Sequence, residues 1–348
     1  MKKVVIIGNP NFTNVAGGAE NQLIKLAQEL SKSGYHVSFG SRAAVLERSE
    51  YYDSFSVPQN WGRPNGMLSL FLALRKIKPK AVICRVLDPL LIIYSLFCWI
   101  LGAKLIYFSA HDWELTPRKD KRIKGWRWQL FRLGLQFCNT IFVQNETQYN
   151  GFRKLLWWKK GRVVQTKNLP LLNEAKPLTK PGDFFTWVGS YRPHKNADWV
   201  LKIAEQLPDR KFHLILHCKN KKDIEERFKQ KAEKLKNLTF TPGVDREQVP
   251  SVYKESTSVL ITSEGEGFPN VALESWSQGR AVISTPSNVL KELSVNEGVI
   301  ITEDIDSFVD IIKETPIDML EQIGINGHSY FKSNYSTKSI IENIQRYL

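Results

Sequence analysis

Two glutamates eight residues apart, Glu266 and Glu274, bracket the stretch Ser263-Glu264-Gly265-Glu266-Gly267-Phe268-Pro269-Asn270-Val271-Ala272-Leu273-Glu274. It follows an apolar strand-like segment and leads into a helix-like one, which is where an open α/β sheet places its ligand. Gly265 and Gly267 let the backbone turn tightly and approach a ligand. Pro269 suits a first helical turn, where its missing N–H would have had no partner. The free amides of such a helix start, together with its dipole, suit a phosphate. Carboxylates accept hydrogen bonds from hydroxyls, and a vicinal diol presents two donors to one carboxylate. A phosphate site between two carboxylates therefore matches a nucleotide sugar, with Glu274 on the ribose, Glu266 on the hexose and the diphosphate between them. Two solvated acids near a helix N-terminus, favoured there by the dipole, are the plainer reading of the same residues.

The elements around this stretch alternate apolar strands with amphipathic helices, which implies α/β architecture with parallel sheets. The sequence predicts strands at Lys3–Ile7, His36–Gly40, Ala81–Arg85, Lys104–Ser109 and Thr140–Gln144. Helices are expected between them, near Ala19–Ser33, Met67–Ile77, Leu90–Leu101 and Trp126–Phe137. A break at Asn168-Leu169-Pro170 and a Pro- and Lys-rich stretch to Gly182 follow, and then the alternation restarts. In the second half the strands are Phe184–Val188, Phe212–His217, Leu238–Thr241, Ser258–Thr262 and Ala281–Ser284. The helices there are Ala197–Leu207, Lys222–Leu235, Glu247–Glu255, Val271–Gln278 and Ser307–Lys313. A chain of 348 residues, at about 150 residues per domain, accords with two doubly wound units. The expected divisions are residues 1–168, residues 169–330, and a C-terminal helix over 331–348. That helix, with Ile340, Ile341, Ile344 and Tyr347 on one face, must pack on something and is expected to cross back to the first domain.

Composition narrows the partners. The chain is 42% hydrophobic and 24% charged, too apolar to be disordered, with a formal net charge of +14. Residues 1–170 hold 26 Lys/Arg against 10 Asp/Glu, and residues 171–348 hold 23 against 25, so the basic excess lies wholly in the first half. Seven of the ten tryptophans lie there too. Arg118, Lys119, Lys121, Arg122, Lys124, Arg127 and Arg132 interleave with Trp113, Trp126, Trp128 and Phe131, and a second cluster holds Arg153, Lys154, Trp157, Trp158, Lys159 and Lys160. Basic side chains are drawn to anionic head groups and tryptophan favours the interfacial layer, so an anionic membrane surface is the expected partner. Nucleic acid would also use basic and aromatic residues, but no RNA- or DNA-binding module is matched, and none is expected to bind.

Cys84, Cys98, Cys138 and Cys218 form no C-x-x-C pair, so they read as buried thiols of a reducing compartment. The start of the chain runs straight into Val4-Val5-Ile6-Ile7 without the pattern of a secretory signal. Pro89 to Leu101 is short of the roughly 20 apolar residues needed to span a bilayer and reads as a buried helix capped by Gly102. A cytoplasmic protein, peripheral on the inner face of the cell membrane, is expected.

Glu266 and Glu274, with Gly-Phe-Pro-Asn after the first and Leu before the second, resemble the E-x7-E motif of the retaining glycosyltransferases of family 4, which have the GT-B fold. Gly17-Gly18-Ala19-Glu20 resembles that family's Gly-Gly-x-Glu turn. Val188-Gly189-Ser190-Tyr191-Arg192-Pro193-His194-Lys195 resembles its Gly-Arg-x-x-x-x-Lys segment, and Tyr253 to Thr285 follows its pattern too. The resemblance implies two Rossmann-like domains facing across a cleft, the second holding a nucleotide-diphosphate sugar and the first a saccharide or lipid-linked acceptor. By position it puts Glu274 on the ribose, Glu266 on the transferred sugar and Lys195 on the diphosphate, with Gly189, Gly267, Phe268, Pro269, Asn270, Gly17 and Gly18 around the donor. One departure is Ser190, where the family has Arg; Arg192 lies two residues on and offers a guanidinium suited to phosphate.

A fixed ammonium at Lys195 would stabilise negative charge on a leaving diphosphate. Ser109-Ala110-His111-Asp112 follows a strand and resembles the family's His-bearing loop; His111 is a candidate for bonding the transferred sugar or the acceptor, and Asp112 for the acceptor-side carboxylate. The expected activity is retaining, metal-independent hexosyl or N-acetylhexosaminyl transfer in cell-surface polysaccharide assembly, without a cofactor and with a uridine donor preferred to a guanosine one. A binding protein that keeps the fold without catalysis is the alternative, and Ser190 is its support. His213 and His217 share a strand face and read as packing residues.

Overall fold

A computed structural model describes residues 2–8, 18–41, 49–56, 64–85, 87–115, 125–157, 162–175, 182–218, 221–245, 248–286 and 289–348. The chain forms two compact units, Met1–Leu169 with Thr337–Leu348, and Pro170–Ser336.

In the first unit, the described strands are β1 (Lys3–Ile7), β2 (His36–Ser41), β3 (Asp53–Ser56), β4 (Ala81–Arg85), β5 (Lys104–Phe108), β6 (Thr140–Val143) and β7 (Val163–Gln165). They make one parallel sheet in the order β3-β2-β1-β4-β5-β6-β7, with Val4 in register with Val37 on one side and Ala81 on the other. Alternate side chains go to opposite faces, and the two faces are covered differently. Val5, Ile7, Val82, Cys84, Leu105 and Tyr107 pack under α2 (Pro64–Ile77), α3 (Leu91–Ile100), α4 (Gly125–Phe137) and α5 (Glu146–Leu155). Val4, Ile6, Ala81, Ile83, Ile106 and Phe108 pack under α1 (Gly18–Lys32) and α12 (Thr337–Gln345). The C-terminal helix thus returns to the first unit through Ile340, Ile341 and Ile344, and Lys104 Nζ donates to the backbone oxygens of Tyr347 and Leu348 at 3.1 Å.

The second unit has β8 (Phe184–Ser190), β9 (Phe212–His217), β10 (Leu238–Thr241), β11 (Ser256–Ile261), β12 (Ala281–Ser284) and β13 (Val299–Ile301), parallel in the order β10-β9-β8-β11-β12-β13. One face packs on α6 (Asp198–Gln206), α7 (Lys222–Ala232) and α10 (Ile305–Glu314). The other is covered by α8 (Val249–Glu255), α9 (Asn270–Ser277) and the end of α11 (Ile317–Asn334). The chain leaves β8 towards β9 and β10, then returns to its other side as β11. That reversal is a topological switch point, where such sheets bind ligands beyond the carboxyl ends of the strands.

Two expectations need correction. Pro89 to Leu101 is not a buried helix. Leu91, Tyr94 and Cys98 of α3 are buried, but Trp99 is 79% exposed, and Leu96 and Ile100 are about half exposed. The sheet covers one stripe of the helix and nothing among the described residues covers the opposite one. The expected end at Gly102 does hold, with φ +66° and Ala103 N–H donating to Cys98 O at 2.8 Å. The interleaved aromatic cluster also divides: Trp128 and Phe131 are core residues, and Trp126 is exposed. Gly17, Arg118, Lys119, Lys121, Arg122, Lys124, Trp158, Lys159 and Lys160 lie outside the described residues.

Candidate functional site

Lys195 and Glu266 come together in the second unit, from the loops that follow β8 and β11. Lys195 Nζ lies 3.1 Å from Glu266 Oε1, and the side chains are 23% and 17% exposed. After β8 the chain makes a 3-10 turn over Pro193–Lys195, and Asn196 adopts the left-handed conformation at φ 48°, which asparagine tolerates better than most residues. Asn196 Nδ2 donates to Thr262 O at 3.1 Å, Glu264 N–H donates to His194 O at 2.9 Å, and Thr262 Oγ1 donates to Lys195 O at 2.6 Å. The same hydroxyl accepts from Trp187 Nε1 at 2.9 Å. Three backbone oxygens are thereby satisfied while the two loops are fixed side by side, which sets the spacing of the ammonium and the carboxylate.

Gly189 serves this arrangement. A Cβ built there would stand 2.7 Å from Trp187 Cη2, so a side chain would push on the ring that holds Thr262. Arg192 is exposed at the start of the 3-10 turn, and Ser190 ends β8.

Glu266 Oε1 also accepts from Ser263 Oγ at 3.1 Å. Pro269 takes the N-cap position of α9 rather than its first turn, at φ −70°, and Asn270 begins the helix. Gly267, Phe268 and Pro269 are buried, with Phe268 packed against Trp276 and Tyr335. Glu274 lies on α9 as a buried carboxylate that accepts from Tyr253 OH at 3.0 Å. Tyr253, on α8, is itself fully buried. A buried carboxylate is costly unless it is hydrogen-bonded, so α8 supplies the donor that keeps Glu274 in place. Thr262, Trp187 and Tyr253 are the positioning residues that sequence reasoning missed. Thr262, polar at the end of an apolar strand, was the visible signal.

In the first unit, β5 leads into a 3-10 turn over Asp112–Leu115. Asp112 Oδ1 accepts from Asn145 Nδ2 at 3.0 Å and from Gln148 Nε2 at 2.7 Å, which ties the turn to the start of α5. His111 Nδ1 accepts from Trp113 N–H at 3.1 Å. The neutral ring therefore carries its proton on Nε2, and that atom is a donor. Within this turn, with its side chain buried, lies Glu114, a group the sequence did not flag. It is buried and accepts from Ser109 Oγ at 2.8 Å and from Ala110 N–H at 3.0 Å. Burial pushes its pKa up to about 7, against the pull of those bonds and of nearby Arg85. Burial likewise lowers Arg85 to about 10. Gly18 opens α1, and Gly17 is outside the described residues.

The triplet Asp304-Ile305-Asp306 is the one Asp-x-Asp in the sequence, and it is used as a helix cap. Asp304 Oδ1 accepts from Ser307 N–H at 2.8 Å and from Ser307 Oγ at 2.6 Å. Among the described residues no group of three or more His, Cys, Asp or Glu is placed to hold a metal ion. His213 Nε2 pairs with Thr241 Oγ1 at 2.9 Å and its ring packs edge-on to Phe184, a packing role.

Residues 182–315, most of the second unit, match the family described as Glycosyl transferases group 1. An uncharacterized glycosyltransferase of Haemophilus influenzae is 24% identical over 287 residues, covering 77% of each chain. Sucrose-phosphate synthase from Thermosynechococcus elongatus superposes with a TM-score of 0.80 at 16% identity, over 99% of this chain and 98% of that one. Anabaena HepE, solved in complex with UDP, superposes with a TM-score of 0.76 at 14% identity, over 99% of both chains. The architecture is GT-B.

Proposed function

From a GT-B chain whose second unit matches the group 1 glycosyl transferases, we propose a retaining, metal-independent glycosyltransferase that takes a hexosyl or N-acetylhexosaminyl group from a nucleotide-diphosphate sugar. The acceptor is a saccharide or lipid-linked saccharide of cell-surface polysaccharide assembly, met on the inner face of the cell membrane. The observation that carries this reading is the 3.1 Å pair of Lys195 and Glu266 at the switch point of the second sheet, eight residues before the buried Glu274.

Breaking the bond between the anomeric carbon and the diphosphate leaves negative charge on the phosphate oxygens and positive charge on the sugar ring. Lys195 stabilises the first charge, and Glu266 faces the hydroxyls of a ring taking on oxocarbenium character. Glu274 receives the ribose diol, and the amides at the start of α9 face the phosphates. On the acceptor side, His111 Nε2 is a hydrogen-bond donor. No side chain of the Lys195–Glu266 group is set up as a nucleophile, so the acceptor hydroxyl attacks the anomeric carbon from the leaving-group face as the bond to the diphosphate breaks, the departing phosphate oxygen takes the hydroxyl proton, and configuration is retained. The UDP in the HepE structure supports a uridine donor ahead of a guanosine one.

A thermal-shift panel of UDP, GDP and their sugars, followed by turnover with the selected donor, tests the proposal. Selective stabilisation by one nucleotide class is expected, because a ligand that binds the folded form raises its stability. Turnover is expected to collapse in Glu266→Ala and Lys195→Ala. If both variants turn over like the parent, the site assignment is wrong. Binding without any turnover in the parent would point to a non-catalytic nucleotide-sugar binder, the reading that Ser190 favours.

A further inference from the structure

We infer that the outer face of α2, α3 and α4 docks the first unit onto an anionic lipid bilayer. This deepens the membrane-side reading above, on which it rests, but it concerns a surface distinct from the donor residues.

The three helices form one contiguous layer. Their inner sides share a single core against one face of the sheet, so their outer sides point away from it. Phe71 of α2 and Phe97 of α3 pack with ring centroids 5.1 Å apart. Gly134 lets α4 approach α3 closely, since a Cβ there would lie 2.7 Å from Ile92 N. What the layer presents outward is apolar where a surface helix would ordinarily be polar. On α2 it is Leu68 and Leu72, and on α3 it is Leu96, Trp99 and Ile100, each more than half exposed. On α4, Trp126, Leu133 and Phe137 recur at helical spacing, again exposed. Nine of the twelve large exposed apolar residues of the described chain lie in the first unit, eight of them on these helices. Contiguous apolar surface of this kind marks an interaction site.

The charges on the layer select the occupant. Arg75 and Lys76 end α2, Arg127 and Arg132 lie on α4, and the three helices contain no Asp or Glu. A second copy would bring the same cations against these cations, because a two-fold interface pairs a patch with itself. An anionic bilayer offers the opposite charge together with an apolar phase, and Arg127, stacked 5.4 Å from the Trp126 ring, has the pairing suited to a head-group layer. The ten residues of α3 rise only about 15 Å, half of a hydrocarbon core of about 30 Å, so the helix lies in the interface and does not cross it. Among the described residues no helix is long and apolar enough to span.

Cosedimentation of the full chain with vesicles of phosphatidylcholine and phosphatidylglycerol, and with phosphatidylcholine alone, tests this. Binding to the mixed vesicles is expected to exceed binding to the neutral ones at least tenfold. The double variant Leu96→Glu with Trp99→Glu is expected to lose at least tenfold in binding, with its melting temperature and its nucleotide binding kept. Met319→Glu, at an exposed apolar position of the second unit, is the control and is expected to bind like the parent. Equal binding by the α3 variant and the parent overturns the inference, as does a parent that ignores anionic vesicles. A parent dimer that becomes monomeric in the α3 variant overturns it too, in favour of self-association. A parent that binds anionic vesicles but no nucleotide separates failure of the donor site from failure of the surface.

Discussion

Replacing Lys195 by Met keeps the side chain's apolar stem and removes its charge, which separates the residue's effect on chemistry from its effect on folding. Nζ stands 3.1 Å from Glu266 Oε1 with the two side chains 23% and 17% exposed. Water still reaches the pair, and ion pairs of this kind contribute about 1 kcal/mol to stability. In a unit of this size that corresponds to a fall in Tm of about 3 °C. A cation aimed at charge that develops on a leaving phosphate works at the transition state, where loss of one such group costs about 3 to 4 kcal/mol, or a factor of about 10² to 10³ in kcat. The variant should therefore be folded and nearly as stable as the parent, yet slower by two to three orders of magnitude. Release of nucleoside diphosphate from the donor, followed alongside thermal unfolding, measures both. Combining Lys195→Met with Glu266→Gln should reduce the rate by less than the product of the single losses, because in the proposed mechanism the two groups act on one bond. A rate within threefold of the parent would refute the reasoning, and so would a fully additive double variant.

Tyr253→Phe removes the 3.0 Å bond to buried Glu274, which should cost about 1.5 to 3 kcal/mol and weaken nucleotide binding about tenfold with kcat little changed; calorimetric titration with UDP checks this. Glu114 holds a proton in the folded protein up to about pH 7, whereas the unfolded chain releases it near 4.5. Its stabilising contribution is thus present below about pH 4.5 and is lost as pH rises through 7, by up to about 3 kcal/mol, and melting curves across that window should be flatter in Glu114→Gln. Gly327→Ala would set a methyl 2.4 Å from Trp276 Cδ1 and should lower stability by about 2 kcal/mol in denaturant unfolding. Because His111 Nε2 is a donor, His111→Gln should keep more activity than His111→Ala, and the ratio is read from kcat of the two variants.

The strands and amphipathic helices were legible because period-two and period-3.6 patterns report burial directly, and β1, β4, β9, β10 and β12 begin and end where those patterns do. What was missed had a physical cause. Strands β7 and β13 are three residues long, too short to show a period, and β3, Asp-Ser-Phe-Ser, carries a single apolar residue. Helix α11 contains Gly324 and Gly327, which read as helix breakers. Both are required by close packing, since a Cβ at 324 would fall 2.3 Å from Gly279 O and one at 327 would reach Gly298. A glycine chosen for a neighbour's proximity is indistinguishable in sequence from one chosen for a turn. The apolar run at α3 was misread for a related reason: hydropathy shows that surface is available for burial and does not say what covers it.

The candidate site divides along the same line. Glu266 and Glu274 stand out as candidates because two carboxylates around a helix start suit a polyhydroxylated ligand, and Lys195 because its segment resembles that of a known family. Trp187 and Tyr253 do not, and Thr262 shows only as a polar residue ending an apolar strand, because their roles depend on which strands become neighbours. Thr262 serves Lys195 only because β11 returns beside β8, a pairing that joins residues 67 positions apart. Glu114 shows the reverse situation. A Glu shortly beyond a strand looks like an ordinary solvated acid, yet it is the carboxylate on which Ser109 and Ala110 converge, in the turn that directly follows His111. Its near-neutral titration follows from burial in the packed loop, where Trp128 Nε1 of α4 donates to Glu114 O at 3.4 Å. The candidate ligand-facing groups are thus constrained locally by their chemistry, whereas the groups that hold them are constrained by topology, which is why a sequence shows the first kind more readily than the second.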